Sequence, residues 1–119
     1  MTMKKDVMNV EKKNMIDILY QTSKTKKKEI YSRVADILNT AKRRAVKVNL
    51  VKLEKLELVT DGSIVIVPGK LLGTGVLNKK VTVYAYSFSS SVKEKLKNIK
   101  SLKDFCKDTI DYKKTIIVK

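Results

Sequence analysis

The sequence predicts an α/β fold: one globular domain of irregularly alternating strands and short helices, behind a basic helical N-terminal region. Three observations predict it. Apolar residues recur at helical spacing between Glu29 and Thr40, at Ile30, Val34, Ile37 and Leu38. Alternating or β-branched runs at Val46 to Leu50, Ile64 to Val67, Val81 to Phe88 and Thr115 to Val118 have the character of strands. The apolar positions spread from Ile30 to Val118 with no internal repeat and no low-complexity linker. Residues 1–28 are therefore expected to form a basic arm with a short helix, and 29–119 the globular domain.

Taken in order, Met1 to Lys12 is polar and irregular, as in a loose arm. Asn14 is placed to cap a short helix carrying Met15, Ile18 and Leu19, and Gln21 to Lys28 then makes a polar, basic connection. The Glu29–Thr40 helix follows, with Lys42, Arg43 and Arg44 directly after its end. Val51 to Leu58, carrying Leu53, Leu56 and Leu58, fits either a short helix or an extended run. Asp61-Gly62 is a turn signal ahead of the buried strand Ile64 to Val67, and Pro68-Gly69 is expected to end that strand. Leu71 to Lys80 forms a loop containing Gly73, Gly75, Asn78, Lys79 and Lys80. Val81 to Phe88 is the clearest strand, with both faces at least half buried.

Ser91 and Glu94 have the S-x-x-E spacing of a capping box, ahead of Val92, Leu96 and Ile99 at i, i+4 and i+7. Ser101 and Asp104 repeat the capping signal before Leu102, Phe105 and Cys106.

Charge bears most on function. Twenty-seven Lys and Arg oppose twelve Asp and Glu in 119 residues, a formal net charge of +15. Self-repulsion on that scale disfavours a compact state, so it makes physical sense against a polyanion: nucleic acid, an acidic membrane surface or an acidic protein. Genome bias towards Lys accounts for the scarcity of Arg (Arg33, Arg43 and Arg44 only), but less well for the scarcity of acids. With no His, imidazole catalysis, a catalytic triad and a typical zinc site are excluded. The single Cys106 cannot form an internal disulfide and fits a reducing cytoplasm, and beside Phe105 it is better explained as a small apolar residue than as a nucleophile. No apolar run has membrane-spanning length and the N-terminus lacks a signal-peptide pattern. No cofactor, metal, membrane or small-molecule substrate is expected.

Gly69-Lys70-Leu71-Leu72-Gly73-Thr74-Gly75 superficially resembles a phosphate loop. The Walker pattern, however, ends in Gly-Lys-Ser/Thr before a helix, whereas here Gly-Lys comes first and a strand follows; Asn78 stands where a dinucleotide fingerprint needs its third glycine. Two readings stay open: a glycine loop that lays N–H groups and Lys70, Lys79 and Lys80 against phosphates, or a connection whose glycines only turn the chain. Lys42-Arg43-Arg44 with Lys47 is the densest basic patch. Its paired arginines favour a guanidinium grip on RNA over mere charge at a helix C-terminus. Lys24, Lys26, Lys27 and Lys28 form a second patch. Tyr84, Tyr86 and Phe88 alternate on one strand but lack the glycine-aromatic pattern of a base-stacking sheet, so core packing is favoured and recognition falls to RNA shape and phosphate.

Val46-Lys47-Val48-Asn49-Leu50, Val65-Ile66-Val67-Pro68-Gly69-Lys70-Leu71-Leu72-Gly73-Thr74-Gly75, Lys80-Val81-Thr82-Val83 and Ser87-Phe88-Ser89 together resemble a ribosomal family. It is the one that joins archaeal large-subunit protein eighteen-e to bacterial large-subunit protein fifteen. The Val-Pro-Gly-Lys-x-Leu-Gly-x-Gly run is the specific part. The resemblance implies a superhelical stack of β-β-α units and a structural constituent of the cytoplasmic large ribosomal subunit. Its partners would be large-subunit rRNA and neighbouring ribosomal proteins. On this basis Lys24, Lys26, Lys27, Lys42, Arg43, Arg44, Lys47, Asn49, Lys70, Lys79 and Lys80 are the candidate rRNA-binding residues, while Pro68, Gly69, Gly73 and Gly75 set the loop geometry. The chain departs from the family in lacking an Asn-Pro-Arg-like entry to the first helix, the proline of a Lys-Pro-Arg-Arg-like run, and a glycine pair after Ile99. The charge alone permits an alternative, a free-standing DNA- or RNA-binding regulator.

Overall fold

A computed structural model of the chain describes residues 3–40, 46–96 and 98–119, the side chains of 3–10 and 40 excepted. It is mixed α/β and divides into two compact units, Met1–Arg44 and Ala45–Lys119. The first holds helices α1 (Met3–Lys26) and α2 (Glu29–Thr40). The second runs β1 (Lys47–Asn49), α3 (Leu50–Lys55), β2 (Ile64–Leu72), β3 (Thr82–Phe88), α4 (Ser90–Lys95), β4 (Ile99–Ser101), α5 (Leu102–Lys107), a 3₁₀ turn (Tyr112–Lys114) and β5 (Thr115–Ile117).

In the helical unit, Met15, Ile16 and Leu19 of α1 and Tyr31, Val34, Ala35 and Leu38 of α2 are buried. These two stripes pack on each other. The break between compact units follows α2, because the apolar face of α2 is used on α1. Helix α1 also replaces the expected arm, short helix and connection: it starts at Met3, passes through Asn14 and takes in Gln21 to Lys26. Ile18 lies on its exposed side. The turn is a Schellman-type closure, with Lys28 N–H donating to Ser23 O at 3.1 Å and Lys27 in the left-handed region at φ 55°. Tyr20 OH donates to Asp36 Oδ1, tying the helices across their exposed margin, and that bond raises the Tyr20 pKa above its ordinary value.

Among the described residues all strand pairs in the second unit are parallel. Strand β2 is central. β3 pairs along one of its edges, while β5 takes Ile64–Ile66 and β1 takes Lys70–Leu72 of the other; β4 lies outside β3. Residues Val65 to Gly69 are buried without interruption, as expected of a strand covered on both faces. Val48, Leu50, Leu53, Val59, Val65, Val67, Leu71, Val83, Ala85 and Val92 form the main core.

Four local expectations are corrected. Pro68-Gly69 does not end the strand: β2 continues to Leu72, and the pairing with β3 shifts register between Val67 and Lys70. A bulge is where a strand tolerates a proline, which has no N–H to give to the ladder. Leu71 and Leu72 are accordingly strand rather than loop. Ser91 lies inside α4, whose N-cap is Ser89 with no side-chain cap bond, so the Ser91–Glu94 pair is not a capping box. Ile99 begins β4 instead of extending a helix, since α4 stops at Lys95 and Leu96 adopts extended backbone. The second capping signal holds: Ser101 Oγ accepts from Asp104 N–H and the Asp104 carboxylate accepts from Ser101 N–H, both at 3.4 Å. The ambiguous stretch after β1 is helical over Leu50–Lys55.

Candidate nucleic-acid interface

Parallel pairing joins basic positions that lie far apart in sequence. Lys47 on β1 is in register with Lys70 on β2, and Lys70 with Ser87 on β3. In-register residues of parallel strands share a face, and neighbouring strands lie about 4.8 Å apart. Lys47, Lys70 and Ser87 thus form an exposed row across three strands, while the next residues, Val48 and Leu71, are buried. Two adjacent ammonium groups on a sheet repel, and neither belongs to an ion pair: the described residues form two, Arg33–Glu29 and Lys100–Asp108. Asn49 follows on the same face of β1, half-buried, and its Oδ1 is buried with no hydrogen-bond partner.

Close backbone approach explains the glycines. A Cβ on Gly69 would lie 2.2 Å from Val46 O, the oxygen that accepts from Lys70 N–H at 2.8 Å. On Gly73 it would lie 2.1 Å from Ser91 Oγ. Gly75 has φ +92° and its Cβ would meet Val51 Cβ at 2.7 Å. The loop after β2 is therefore pressed onto α3 and α4. Three successive carbonyls are hydrogen-bonded by neighbouring elements: Thr74 O accepts from Val51 N–H at 3.1 Å, and Gly73 O and Gly75 O accept from the exposed Lys95 through its Nζ at 2.6 and 3.0 Å. Across each trans peptide the following N–H points away from the carbonyl's partner, and consecutive N–H groups of this kind suit an anion.

The remaining loop lysines part company. Lys79 is half-buried and its Nζ donates to Leu56 O at 2.7 Å, closing the end of α3. Lys80 is exposed, and its backbone is clamped by Asp61 Oδ1 on its N–H (2.8 Å) and by Gly62 N–H on its carbonyl (2.7 Å). Glu54 Oε1 takes Asn78 N–H at 2.7 Å. In the helical unit Lys24 and Lys27 are exposed, whereas Lys26 lies against Tyr31, with Nζ 3.4 Å from its hydroxyl and 5.4 Å from its ring centre. Lys42, Arg43 and Arg44 lie outside the described residues.

The aromatic alternation serves packing at Tyr84, which is buried with its ring 5.5 Å from that of Phe105 and its hydroxyl donating to Asp108 at 2.8 Å. Phe88 is half-buried with Lys93 Nζ 5.4 Å from its ring centre. Lys93 and Lys95 escaped sequence inspection, because no local pattern links α4 to a loop well upstream of it. Among the described residues no cluster of His, Cys, Asp or Glu could hold a metal, and no helix is long and apolar enough to cross a membrane.

Fold and surface together define a small, basic α/β protein suited to a polyanion. Residues 22–99 match the family model that groups ribosomal proteins fifteen and eighteen-e of the 50S subunit with protein twenty-seven-A of the 60S subunit. The large ribosomal subunit protein eL18 of Nanoarchaeum equitans is 45% identical over 87 residues, covering 71% of each chain. That of Thermoplasma acidophilum is 40% identical over 83 residues, covering 70% of this chain and 68% of its own. That of Methanospirillum hungatei is 36% identical over 100 residues, covering 84% and 81%. The chain belongs to this family of large-subunit ribosomal proteins, so it is a component of the ribosome and not an enzyme.

Proposed function

We propose that the chain binds and braces folded large-subunit rRNA by neutralising and hydrogen-bonding its phosphates. The observation that carries this is the exposed Lys47–Lys70–Ser87 row, whose ammonium pair has no acidic partner among the described residues. A phosphate between the two lysines would turn repulsion into attraction, and Ser87 adds a hydroxyl donor. The Gly73–Gly75 loop offers amide N–H groups opposite its bonded carbonyls, and Lys80 adds charge on a backbone already held in place. Lys42, Arg43 and Arg44 precede β1 in sequence and extend the same basic segment, while Lys24 and Lys27 supply contacts from the helical unit. Lys26 and Lys79, whose ammonium groups already serve Tyr31 and Leu56, contribute chiefly to local structure. Neighbouring ribosomal proteins are its further partners.

The test is sedimentation of native lysate through a sucrose gradient after a high-salt wash, following the chain by mass spectrometry. Near-stoichiometric retention in the large-subunit peak is expected. Recovery only in light fractions would overturn the proposal in favour of a free nucleic-acid-binding regulator.

A further inference from the structure

Lys95 is the side chain on which the shape of the glycine loop converges. It projects from the last turn of α4, and its ammonium donates to Gly73 O at 2.6 Å and Gly75 O at 3.0 Å. Between those carbonyls, Thr74 O is held by Val51 N–H. One turn earlier on α4, Ser91 is the residue against which Gly73 is pressed. A loop carbonyl exposed beside a phosphate would repel it. An ammonium on the carbonyl side removes that repulsion and leaves the N–H groups on the opposite side of each trans peptide.

We propose that Lys95 is a positioning residue for rRNA binding: it holds the 73–75 loop with its carbonyls turned to α3 and α4 and its amides turned away from them, without itself contacting phosphate. The proposal rests on the rRNA-binding reading above. It also explains why sequence patches alone are a poor guide, since Lys79, much nearer in the chain, spends its ammonium on Leu56 O while the distant Lys95 holds the loop.

Neutral amide contacts weaken binding when lost but release no counterions, so they leave the salt slope of affinity unchanged; a lost phosphate-binding lysine lowers that slope by about one. Lys95→Met keeps the aliphatic stem and removes the ammonium. Two quantities are measured on the full chain: amide exchange at Val51 in the free protein, and binding to transcribed Thermoplasma acidophilum large-subunit rRNA between about 50 and 200 mM salt. In Lys95→Met, Val51 exchange is expected to accelerate about tenfold and affinity to fall about tenfold at unchanged slope, with both restored in Lys95→Arg. Unchanged exchange, faster exchange with unchanged affinity, or a slope reduced by one would each overturn the proposal. Failure of the rRNA-binding reading would look different, as wild-type protein lacking steep salt dependence.

Discussion

Lys47 and Lys70 sit in register on adjacent parallel strands, both exposed, with no carboxylate among the described residues paired to either. Such a pair weakens the free protein by a few tenths of a kcal/mol to about 1 kcal/mol. Substituting one partner should therefore move stability and binding in opposite directions. Lys70→Gln is expected to raise unfolding free energy by about 0.2–1 kcal/mol, and to weaken rRNA binding with a salt slope shallower by about one. Denaturant titration and binding at several salt concentrations check the two signs. A side chain that is merely solvated would leave the slope alone.

The bulge at Pro68-Gly69 gives a second expectation. Gly69→Ala forces a methyl group onto Val46 O, where only 2.2 Å is available. Relief requires β1 to retreat from β2, breaking the Lys70 N–H bond to that same oxygen. A loss of about 1–3 kcal/mol is expected, the usual range for overpacking. Because Lys47 is on the strand that retreats, rRNA affinity should fall as well, even in the protein that remains folded. Calorimetry and binding on the same preparation measure both effects.

Lys27 illustrates a cost in the helical unit. It occupies the left-handed position at the end of α1, where glycine is the usual residue. An L-residue there is disfavoured by about 1–2 kcal/mol, partly offset in Lys27→Gly by the greater freedom of the unfolded chain. A net gain of up to about 1 kcal/mol is expected, measured as a rise in the urea midpoint at constant slope.

Much of this molecule was legible in its sequence, and the misses have identifiable causes. Ile30, Val34 and Leu38 announced α2, and the Val81–Phe88 alternation announced β3, because in both the apolar pattern runs unbroken at one period. Pro68 read as a stop because local rules cannot foresee a bulge that uses the missing N–H. Ile99 fitted helical spacing from Val92 and Leu96, yet its pairing with Val83 in β4 prevailed over that spacing. The N-terminal helix was underestimated because charged and polar residues interrupt its apolar pattern, and of its described side chains Met15, Ile16 and Leu19 are the buried ones. At the candidate interface, Lys47 and Lys70 were legible individually as basic residues. Their juxtaposition, and the role of Lys95, depend on strand register and on packing between elements distant in sequence.

Tyr84 makes the fold sensitive to alkali. Its hydroxyl is buried and donates to Asp108 Oδ2, which also receives Lys100 at 3.1 Å. Burial first, then the bond to Asp108, raises the Tyr84 pKa well above the ordinary value of 10.0. The native state therefore holds this proton more tightly than the unfolded chain does. The associated stability is fully present below about pH 10 and is lost as pH rises through the native value, because only the unfolded phenol ionises in that window. Tyr84→Phe has no such proton to lose. At neutral pH it should be less stable by about 1 kcal/mol, leaving Asp108 without its phenolic donor. Between about pH 10 and 11 the wild type should lose stability faster than the variant, so that the gap between them narrows. Urea unfolding of both proteins at intervals from neutral pH to about pH 11 measures this difference directly, and a gap that widened with pH would mean that the folded protein does not hold this proton more tightly than the unfolded chain.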